Sequence, residues 1–466
     1  MATLIVQQPL ANPGTFDRVL PVGQEIIYTV ANPTVVSTFT NVKFVAEVHI
    51  SSFAPPNPNT TNDLVGTFKT SPNNAGAGMF DFRPIIESFV NADNTARKGS
   101  AYKSVLNGGN SSTPIHLIDK YSGNINTMRW CSIKFMVEYI DASGNLVTNS
   151  EVLAGMFIVF NGYLKHTDEL LLSGVNFGYD LYSNFLLDGG TKKFLTNAPT
   201  TQYANLEDYG TVALLMPYTT EGIEITYFDS SGSTIGFEQI NHTTANGGFV
   251  YPQANIQSFI LFFGLYPANL QGSSTMFQGF VSAGTIQGGY YNITALDDSL
   301  QVASETYTIN LNCPTLKGYE PIRLTWLNQW GAWDYYTFTM KSTKMISTKG
   351  STYQQLGGSW NKRAYKLDSF KGGKKSFRVN ATEKITMNTD FVSEAESEWF
   401  EDLINSPEVY ILEGFKTDTA NSSLNKYVTP VRLTTSSYTK KTVANDKLMQ
   451  YTFEVEKSKT LRTQSV

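Results

Sequence analysis

The feature that most constrains the fold is an alternation of apolar and polar side chains with a period of two, repeated along the sequence. In residues 41–50, NVKFVAEVHI, every second side chain from Val42 onward is apolar, and the side chains between them, including His49, are mostly polar. Successive side chains of a strand point to opposite faces of a sheet, so this pattern predicts a half-buried strand. The same period recurs in residues 304–314 and 447–457. The sequence therefore predicts an all-β fold, made mainly of antiparallel, β-sandwich-like domains.

The length of the chain favours several such domains. A single hydrophobic core rarely extends beyond roughly 250–300 residues, and this chain has 466. Breaks in the strand pattern predict an N-terminal β-domain over 1–160, a middle β-domain over 161–315 and a C-terminal β-domain over 316–466. The Gly-rich stretch 264–290 is the least defined part of the middle domain. The polar residues 91–113 predict a long surface loop.

One segment of the C-terminal domain has a helical pattern. Residues 393–407 read SEAESEWFEDLINSP, in which Ser393 and Glu396 form a capping box and acidic residues fill the first turn. Apolar side chains then recur at helical spacing from Trp399 onward, and the pattern ends at a proline. The sequence predicts one long helix over 393–405 that lies on a sheet.

The uneven distribution of charge bears on the partners. Residues 1–316 contain 13 basic and 24 acidic residues, a net charge of −11, whereas residues 317–466 contain 22 and 16, a net charge of +6. Nucleic-acid-binding proteins carry a clustered basic face, and two-thirds of this chain is acidic, so we expect no nucleic-acid partner. Opposite charges on neighbouring subunits could attract each other, or the two regions could be independent solvated surfaces.

No set of residues in the sequence has the spacing of a catalytic, cofactor-binding or metal site. The four histidines are widely separated, and no nucleophile-elbow, phosphate-binding or CxxC motif occurs. The acidic pairs in residues 296–300 and 394–402 are explained by a turn and by helix capping. We therefore expect a protein that is not an enzyme and has no cofactor or metal.

The cysteines and the N-terminus indicate where the protein is made. Cys131 falls on the apolar side of an alternating segment, which favours a buried free thiol over a disulfide. The first residues, MATLIVQQPLANPG, contain no basic region followed by an apolar stretch, and no apolar run reaches the roughly 20 residues of a membrane helix. We expect synthesis in the cytoplasm, with no signal peptide and no membrane-spanning segment.

Aromatic side chains are unusually dense in residues 321–343, PIRLTWLNQWGAWDYYTFTMKST. Trp326 continues the alternation of the strand before the turn, which predicts that it shares a core with Trp399. Three uses are open for the tryptophans of the turn: a core, an interface with another chain, or stacking on a sugar, in that order. We expect one of them to be partly exposed within the C-terminal domain and covered by a neighbouring chain. The candidate interface consists of the aromatic side chains at or just after the turn: Trp330, Trp333 and Tyr335.

Several segments spread over most of the chain carry a resemblance to a known family. They include GMFDFRPIIESFV, YGTVALLMPY and SEAESEWFEDLINSPEVYI, and the most specific is YEPIRLTWLNQWGAWDYYTFT. These segments resemble virion structural proteins of tailed phages of Bacteroidota and of related marine and gut phages, including the crAss-like phages. Trp330 and Ala332 occupy variable places of the last motif, which is a mild departure. Residues 91–113 and 241–290 lie outside the resemblance.

The resemblance implies a β-rich tail or tail-associated component of the virion, built into a ring or hub, and it carries over no catalytic residue. We therefore expect a non-enzymatic tail hub, ring or adaptor protein that forms a symmetric oligomer with copies of itself and contacts other virion tail proteins. The alternative is a receptor- or carbohydrate-binding module of a tail tip or head fibre, which binds a host-surface glycan. A depolymerase of host polysaccharide is the least supported function.

Overall fold

The chain divides into two compact units in a computed structural model. The first unit is Met1–Pro314 with Leu327–Asp334, and the second is Thr315–Trp326, Tyr335–Glu413 and Asn425–Val466. The residues that the structure describes are 2–9, 19–52, 55–96, 113–165, 168, 185, 192–216, 220–241, 259–297, 299–311, 318–360, 363–413, 427–435, 437, 439 and 449–462.

Two sheets with a common core form the beginning of the first unit. Its elements are β1 (Leu4–Gln7), β2 (Val19–Pro21), β3 (Ile27–Ala31), α1 (Pro33–Thr38), β4 (Thr40–Ser51), β5 (Leu64–Thr70), β6 (Ala77–Asp81), α2 (Arg83–Ile86), the 3-10 helices Glu87–Phe89 and Ile115–Leu117, β7 (Tyr121–Gly123), β8 (Met128–Ile140), β9 (Leu146–Leu153) and β10 (Phe157–Phe160). One sheet has the order β1-β3-β6, and the other has the order β2-β10-β8-β4-β5 with β9 beside β8. The buried ring of Tyr28 lies 5.5 Å from that of Phe135 and 6.2 Å from that of Phe157, so side chains of both sheets fill one core.

The rest of the first unit adds two more sheets. Its elements are β11 (Thr201–Ala204), β12 (Thr211–Met216), β13 (Thr220–Phe228), β14 (Thr234–Asn241), β15 (Phe259–Gly264), α3 (Pro267–Ser273), α4 (Thr275–Ala283), β16 (Tyr290–Asp297) and β17 (Tyr307–Leu311). Five strands have the order β11-β17-β16-β13-β14, and three have the order β12-β15-β7. The last sheet crosses the predicted division at residue 160, because Tyr121 of β7 pairs with Phe263 of β15. The first two predicted domains therefore share a sheet and lie in one unit.

The Gly-rich stretch of the middle segment contains the helices α3 and α4. The Ser274 side chain accepts a hydrogen bond from the Phe277 N–H at 2.9 Å and begins α4, and Gly284, with φ of 72°, ends it. The buried ring of Phe277 lies 5.7 Å from Tyr227 of β13 and 6.0 Å from Tyr291 of β16. The segment that the sequence left least defined is thus a helical layer on the five-stranded sheet.

The second unit is built on a large, mainly antiparallel sheet. Its elements are β18 (Ile322–Leu327), β19 (Trp333–Phe338), β20 (Thr343–Gln355), β21 (Gly358–Ser359), β22 (Lys366–Leu367), β23 (Gly373–Asn388), α5 (Glu394–Asn405), β24 (Val409–Leu412), β25 (Val428–Leu433), β26 (Thr452–Lys457) and β27 (Leu461–Arg462). The sheet has the order β19-β18-β24-β25-β26-β23-β20, with β27 beside β23. The turn ends of β18 and β19 belong to the first unit. The all-β class predicted from the sequence is confirmed.

The helix α5 begins at the predicted cap. The Ser393 side chain accepts from the Glu396 N–H at 3.2 Å, and the Glu396 carboxylate accepts from the Ser393 N–H at 2.8 Å. Trp399 and Phe400 are buried, and the Trp399 ring lies 5.0 Å from that of Trp326. The predicted shared core of Trp326 and Trp399 is confirmed. With 12 residues, α5 has an average length rather than a long one, and α3 and α4 are further helices.

His49 of β4 is not where the alternation predicted. The strand lies between β5 and β8, and His49 is buried. On the same strand, Glu47 forms an ion pair of 2.7 Å with Lys134 of β8, and both side chains are largely covered. A strand inside a sheet can be covered on both faces, so a polar alternation does not require exposure.

Several predictions concern single features of the chain. Cys131 is a buried free thiol, as predicted, and burial raises the pKa of this thiol. Cys313 and most of the predicted loop, residues 97–112, lie outside the described residues. Among the helices that the structure describes, none is long and apolar enough to cross a membrane.

Candidate functional site

The aromatic turn between β18 and β19 is the first candidate site. Trp330 and Trp333 are 4% and 2% exposed, and Tyr335 is also buried. Both turn tryptophans are covered within this one chain, so the prediction that a neighbouring chain covers one of them is wrong. The candidate interface of these three side chains is not on the surface of the chain and offers no area for a partner to cover.

The conformation of the turn follows from Asn328 and Gly331. The Asn328 side-chain oxygen accepts from the N–H groups of Trp330 and Ala332, each at 3.0 Å. Its amide nitrogen donates to the Leu195 carbonyl at 2.8 Å and to the Asp334 carboxylate at 2.9 Å. Gly331 has φ of 71°, in the left-handed region that favours glycine.

Gly331 also has no room for a side chain. An ideal Cβ on Gly331 would lie 2.5 Å from the Asn161 carbonyl oxygen and 2.9 Å from a methyl group of Thr127. Both neighbours belong to the first unit, so the chain packs directly on the turn. A glycine is required here for its conformation and for this close approach.

The two indoles of the turn have hydrogen-bond partners within the first unit. The Trp330 Nε1–H donates to the Asn197 side chain at 2.9 Å, and the Trp330 ring lies 4.8 Å from that of Phe185. The Trp333 Nε1–H donates to the Asp93 carbonyl at 2.9 Å, and the centre of its ring lies 4.8 Å from that of the His116 ring, which is nearly perpendicular to it. A buried Trp needs such a partner for its N–H, so both side chains are satisfied core residues.

The Asp93 side chain continues this buried network. Its carboxyl oxygens accept from the backbone N–H groups of Ile125, Asn126 and Thr127 and from the Thr127 hydroxyl. Burial raises the pKa of the Asp93 carboxyl, and these hydrogen bonds, the one from Thr127 foremost, oppose the rise. The group fixes the segment after β7 and has no reactive partner among these contacts.

Further polar contacts link the turn to segments distant in the sequence. Asp334 accepts from the Thr196 hydroxyl at 2.7 Å, and Gln329 bonds both Asn197 at 2.8 Å and Asp168 at 2.7 Å. These partners lie more than 130 positions from the turn in the sequence. Local pattern reasoning could not find them, because it sees only neighbours along the chain.

Tyr335 belongs to the second unit and has a different environment. The guanidinium carbon of Arg323 lies 5.3 Å from the centre of the Tyr335 ring. Arg323 also donates to the Thr337 hydroxyl at 2.7 Å. This cation–π pair is buried and structural.

Metal ligands do not cluster in the part of the chain that the structure describes. Within it, no group of three or more His, Cys, Asp or Glu side chains could hold a metal ion. His49 and His116 are buried in the first unit. His166 and His242 lie outside the described residues.

A surface that the sequence reading missed lies on β20 and β23. These strands pair from Thr343↔Thr386 to Gln355↔Gly373. On its other side, β23 pairs with β27 at Asn380 and Ala381 and with β26 from Lys384 to Asn388. Among the described residues, the remaining six pairs are therefore a two-stranded ribbon that extends roughly 20 Å beyond the sheet. We call residues 350–379, the ribbon with its tip, the arm.

The arm is exposed, aromatic and basic. Trp360, Leu367 and Phe370 are 77%, 78% and 76% exposed, and Leu356 is exposed as well. Residues 350–379 contain seven Lys or Arg and one acidic residue, Asp368, a net charge of +6. Asp368 accepts from the Ser359 hydroxyl at 2.7 Å and lies 3.4 Å from the ammonium group of Lys371.

Most basic groups among the described residues of the arm form no ion pair with a carboxylate of the described chain. Among the described residues, no ion pair forms at Arg363, Lys366 or Lys374. The sequence did contain a signal for this surface, since basic residues alternate with Trp360, Tyr365 and Phe370 between 360 and 378. Only the structure shows that these aromatic side chains are exposed.

A region of opposite charge lies in the first unit. Residues 194–314, which we call the acidic segment, contain nine acidic residues and no Lys or Arg. Glu207 is exposed after β11, and Glu224 is half-exposed on β13, where it accepts from the Gln239 side chain at 3.0 Å. Asp229 is in the turn after β13, and hydrogen bonds led by that of the Ser231 hydroxyl hold the pKa of its carboxyl below the ordinary value.

Comparisons with known proteins do not assign this chain to a family. No protein-family model matches the sequence, and no curated protein is similar to it. A solved structure titled BspA_C_WT aligns with 66% of this chain and 100% of its own length at 10% identity, with a TM-score of 0.15. So low a TM-score carries no argument about fold or function.

Proposed function

We propose that this protein is a non-enzymatic structural subunit that assembles with copies of itself into a symmetric oligomer. The observation that carries this proposal is the arm, which exposes large apolar side chains beyond the edge of the eight-stranded sheet. A two-stranded ribbon is marginally stable alone in water, and an exposed apolar patch favours association. An assembled neighbour would cover the arm and stabilise it.

The placement of the protein within a virion is supported by the resemblance of its sequence to phage structural proteins. The motif YEPIRLTWLNQWGAWDYYTFT contributes Trp326 to the core of the second unit and the buried turn to the first. Residues with these roles preserve a fold, as expected of a motif shared by structural proteins. We propose that the oligomer is a hub, ring or adaptor of a phage tail, in contact with other tail proteins.

The chemistry of the arm favours assembly over sugar binding. Carbohydrate sites combine exposed aromatic rings with carboxylates and amides that accept and donate hydrogen bonds to hydroxyl groups. In the arm, Trp360 and Phe370 have basic and aliphatic side chains nearby in sequence, and Asp368 is engaged by Ser359 and Lys371. A glycan array probed with the intact protein tests this alternative, and specific hits would favour a host-receptor role.

Two measurements test the proposal. The mass of the full chain in solution, from multi-angle light scattering across a concentration series, should exceed that of the monomer. A density map of the intact virion should contain the chain in a ring about the tail axis. A monomer at every concentration, or a location away from any symmetric assembly, would contradict the proposal.

A further inference from the structure

We propose that the arm of one copy binds the acidic segment of a second copy, in a contact that repeats from subunit to subunit. This inference rests on the proposed function and names the surfaces that would make the assembly. Each chain would contribute two different surfaces, so the contact is head-to-tail and closes into a ring when the rotation between subunits permits.

Charge complementarity supports a second copy as the partner. The arm has a net charge of +6 in 30 residues, whereas the rest of the chain has 28 basic and 39 acidic residues, a net charge of −11. The acidic segment has nine acidic side chains and no Lys or Arg, and Glu207 and Glu224 are among those that reach the surface. Complementary charged surfaces increase the association rate and fix the orientation of the partners.

The apolar side chains of the arm favour a protein partner over a nucleic acid. Leu356 and Leu367 are exposed, and aliphatic side chains neither stack on bases nor bind phosphates. The acidic remainder of the chain would also repel a polyanion. On the acidic segment, Tyr203 of β11 and Phe237 of β14 are exposed on the same sheet as Glu224 and supply an apolar complement.

If the arm exposed only lysines, protection of a sheet edge would explain them. Natural proteins place them on edge strands to prevent sheets from pairing with one another. Trp360, Leu367 and Phe370 oppose that protection, because they increase the apolar area that a partner can cover. The combination of charge with exposed apolar side chains indicates a specific contact.

The test uses charge reversal in the full chain. The arm variant combines Arg363→Glu, Lys366→Glu and Lys374→Glu, all at exposed positions. The acidic-segment variant combines Glu207→Lys and Glu224→Lys, neither of which caps a turn. Analytical ultracentrifugation should show self-association weakened at least about tenfold in each variant alone.

A mixture of the two variants is the decisive measurement. The reversed arm of one variant then faces the reversed segment of the other, so equimolar mixing should restore association to within about threefold of the wild type, because close charge pairs couple energetically. Added salt should weaken the restored contact. A matched control, Lys43→Glu with Lys120→Glu and Lys459→Glu, changes the net charge equally outside the arm and should associate like the wild type.

Each other outcome decides against a stated idea. If the wild type forms oligomers and the arm variant does so equally well, the inference fails while the proposed function stands. A mixture that remains monomeric also overturns the inference. If the wild type is monomeric and binds a fluorescein-labelled oligodeoxynucleotide that the arm variant does not bind, the partner is a nucleic acid, and both proposals fail.

Discussion

Replacing Asn328 by alanine tests whether its side chain holds the buried turn in place. That side chain accepts from the Trp330 and Ala332 N–H groups and donates to the Leu195 carbonyl and the Asp334 carboxylate. A buried hydrogen bond contributes about 1 kcal/mol net, so losing four of them predicts a decrease of about 4 kcal/mol in the free energy of unfolding.

The decrease is measured by urea unfolding of the full chain, with the total tryptophan emission as the signal. Two compact units can unfold separately, so each transition is fitted on its own. Asn310→Ala is the control, because Asn310 is half-buried and its side chain makes no hydrogen bond with the described residues. A decrease for Asn328→Ala no larger than that for Asn310→Ala would refute the reasoning.

Three further predictions concern the turn, the core and an exposed ion pair. Gly331→Ala should lower the free energy of unfolding by about 2–4 kcal/mol, because the new side chain adds both backbone strain and a steric clash. Gly284 has a similar φ but open space around it, so Gly284→Ala should lower the free energy of unfolding by only about 1 kcal/mol, from strain alone. Urea unfolding compares the two variants. Trp326→Ala should lower the free energy of unfolding by about 3–5 kcal/mol. Trp360→Ala should change the free energy of unfolding by less than about 0.5 kcal/mol and should reduce the fraction of oligomer measured by light scattering. An unchanged oligomer fraction counts against the role of the arm. The pKa of Glu454 is held below its ordinary value of 4.5, first by the hydrogen bond from the Lys384 ammonium group. The ionised carboxylate therefore stabilises the second unit at a pH above 4.5. This contribution is lost as the pH falls through the lowered pKa. Glu454→Gln should flatten this loss in melting temperatures measured across the acid range, and the change should be small because Glu454 is partly exposed; an identical acid profile would show that the pair is not coupled to folding.

The strands and the helix α5 could be predicted because their signals are local. The alternation around Val42 and the capping box at Ser393 involve residues within one strand or one turn of helix. Trp326 followed from the same logic, since it continues a strand pattern towards the core. Local periodicity is sufficient where a single element decides which side chains face inward.

The turn tryptophans could not be placed in this way. The Trp330 indole bonds Asn197, 133 positions away, and the Trp333 indole bonds Asp93, 240 positions away. No alternation exists in a turn, so burial there depends on which distant segments pack over it. The exposure of the arm could not be predicted either. Its strands have an ordinary strand pattern in the sequence, and only their pairing partners show that they extend beyond the sheet.

The pairing of β7 with β15 also determines when the sheet that joins the N-terminal and middle segments can form. Tyr121 and Phe263 are neighbours in one sheet, yet the ribosome makes the second of them on the order of ten seconds after the first, at the usual rates of synthesis. Until then β7 has no partner from β15, and closing so long a loop is slow compared with forming a hairpin. All strands of the two N-terminal sheets precede β15 in the chain, so these sheets can form before β15 is made, whereas the sheet that joins them to the middle segment must wait. A nascent chain released before β15 would therefore carry an open strand edge, the kind of surface that chaperones bind and that leads to aggregation.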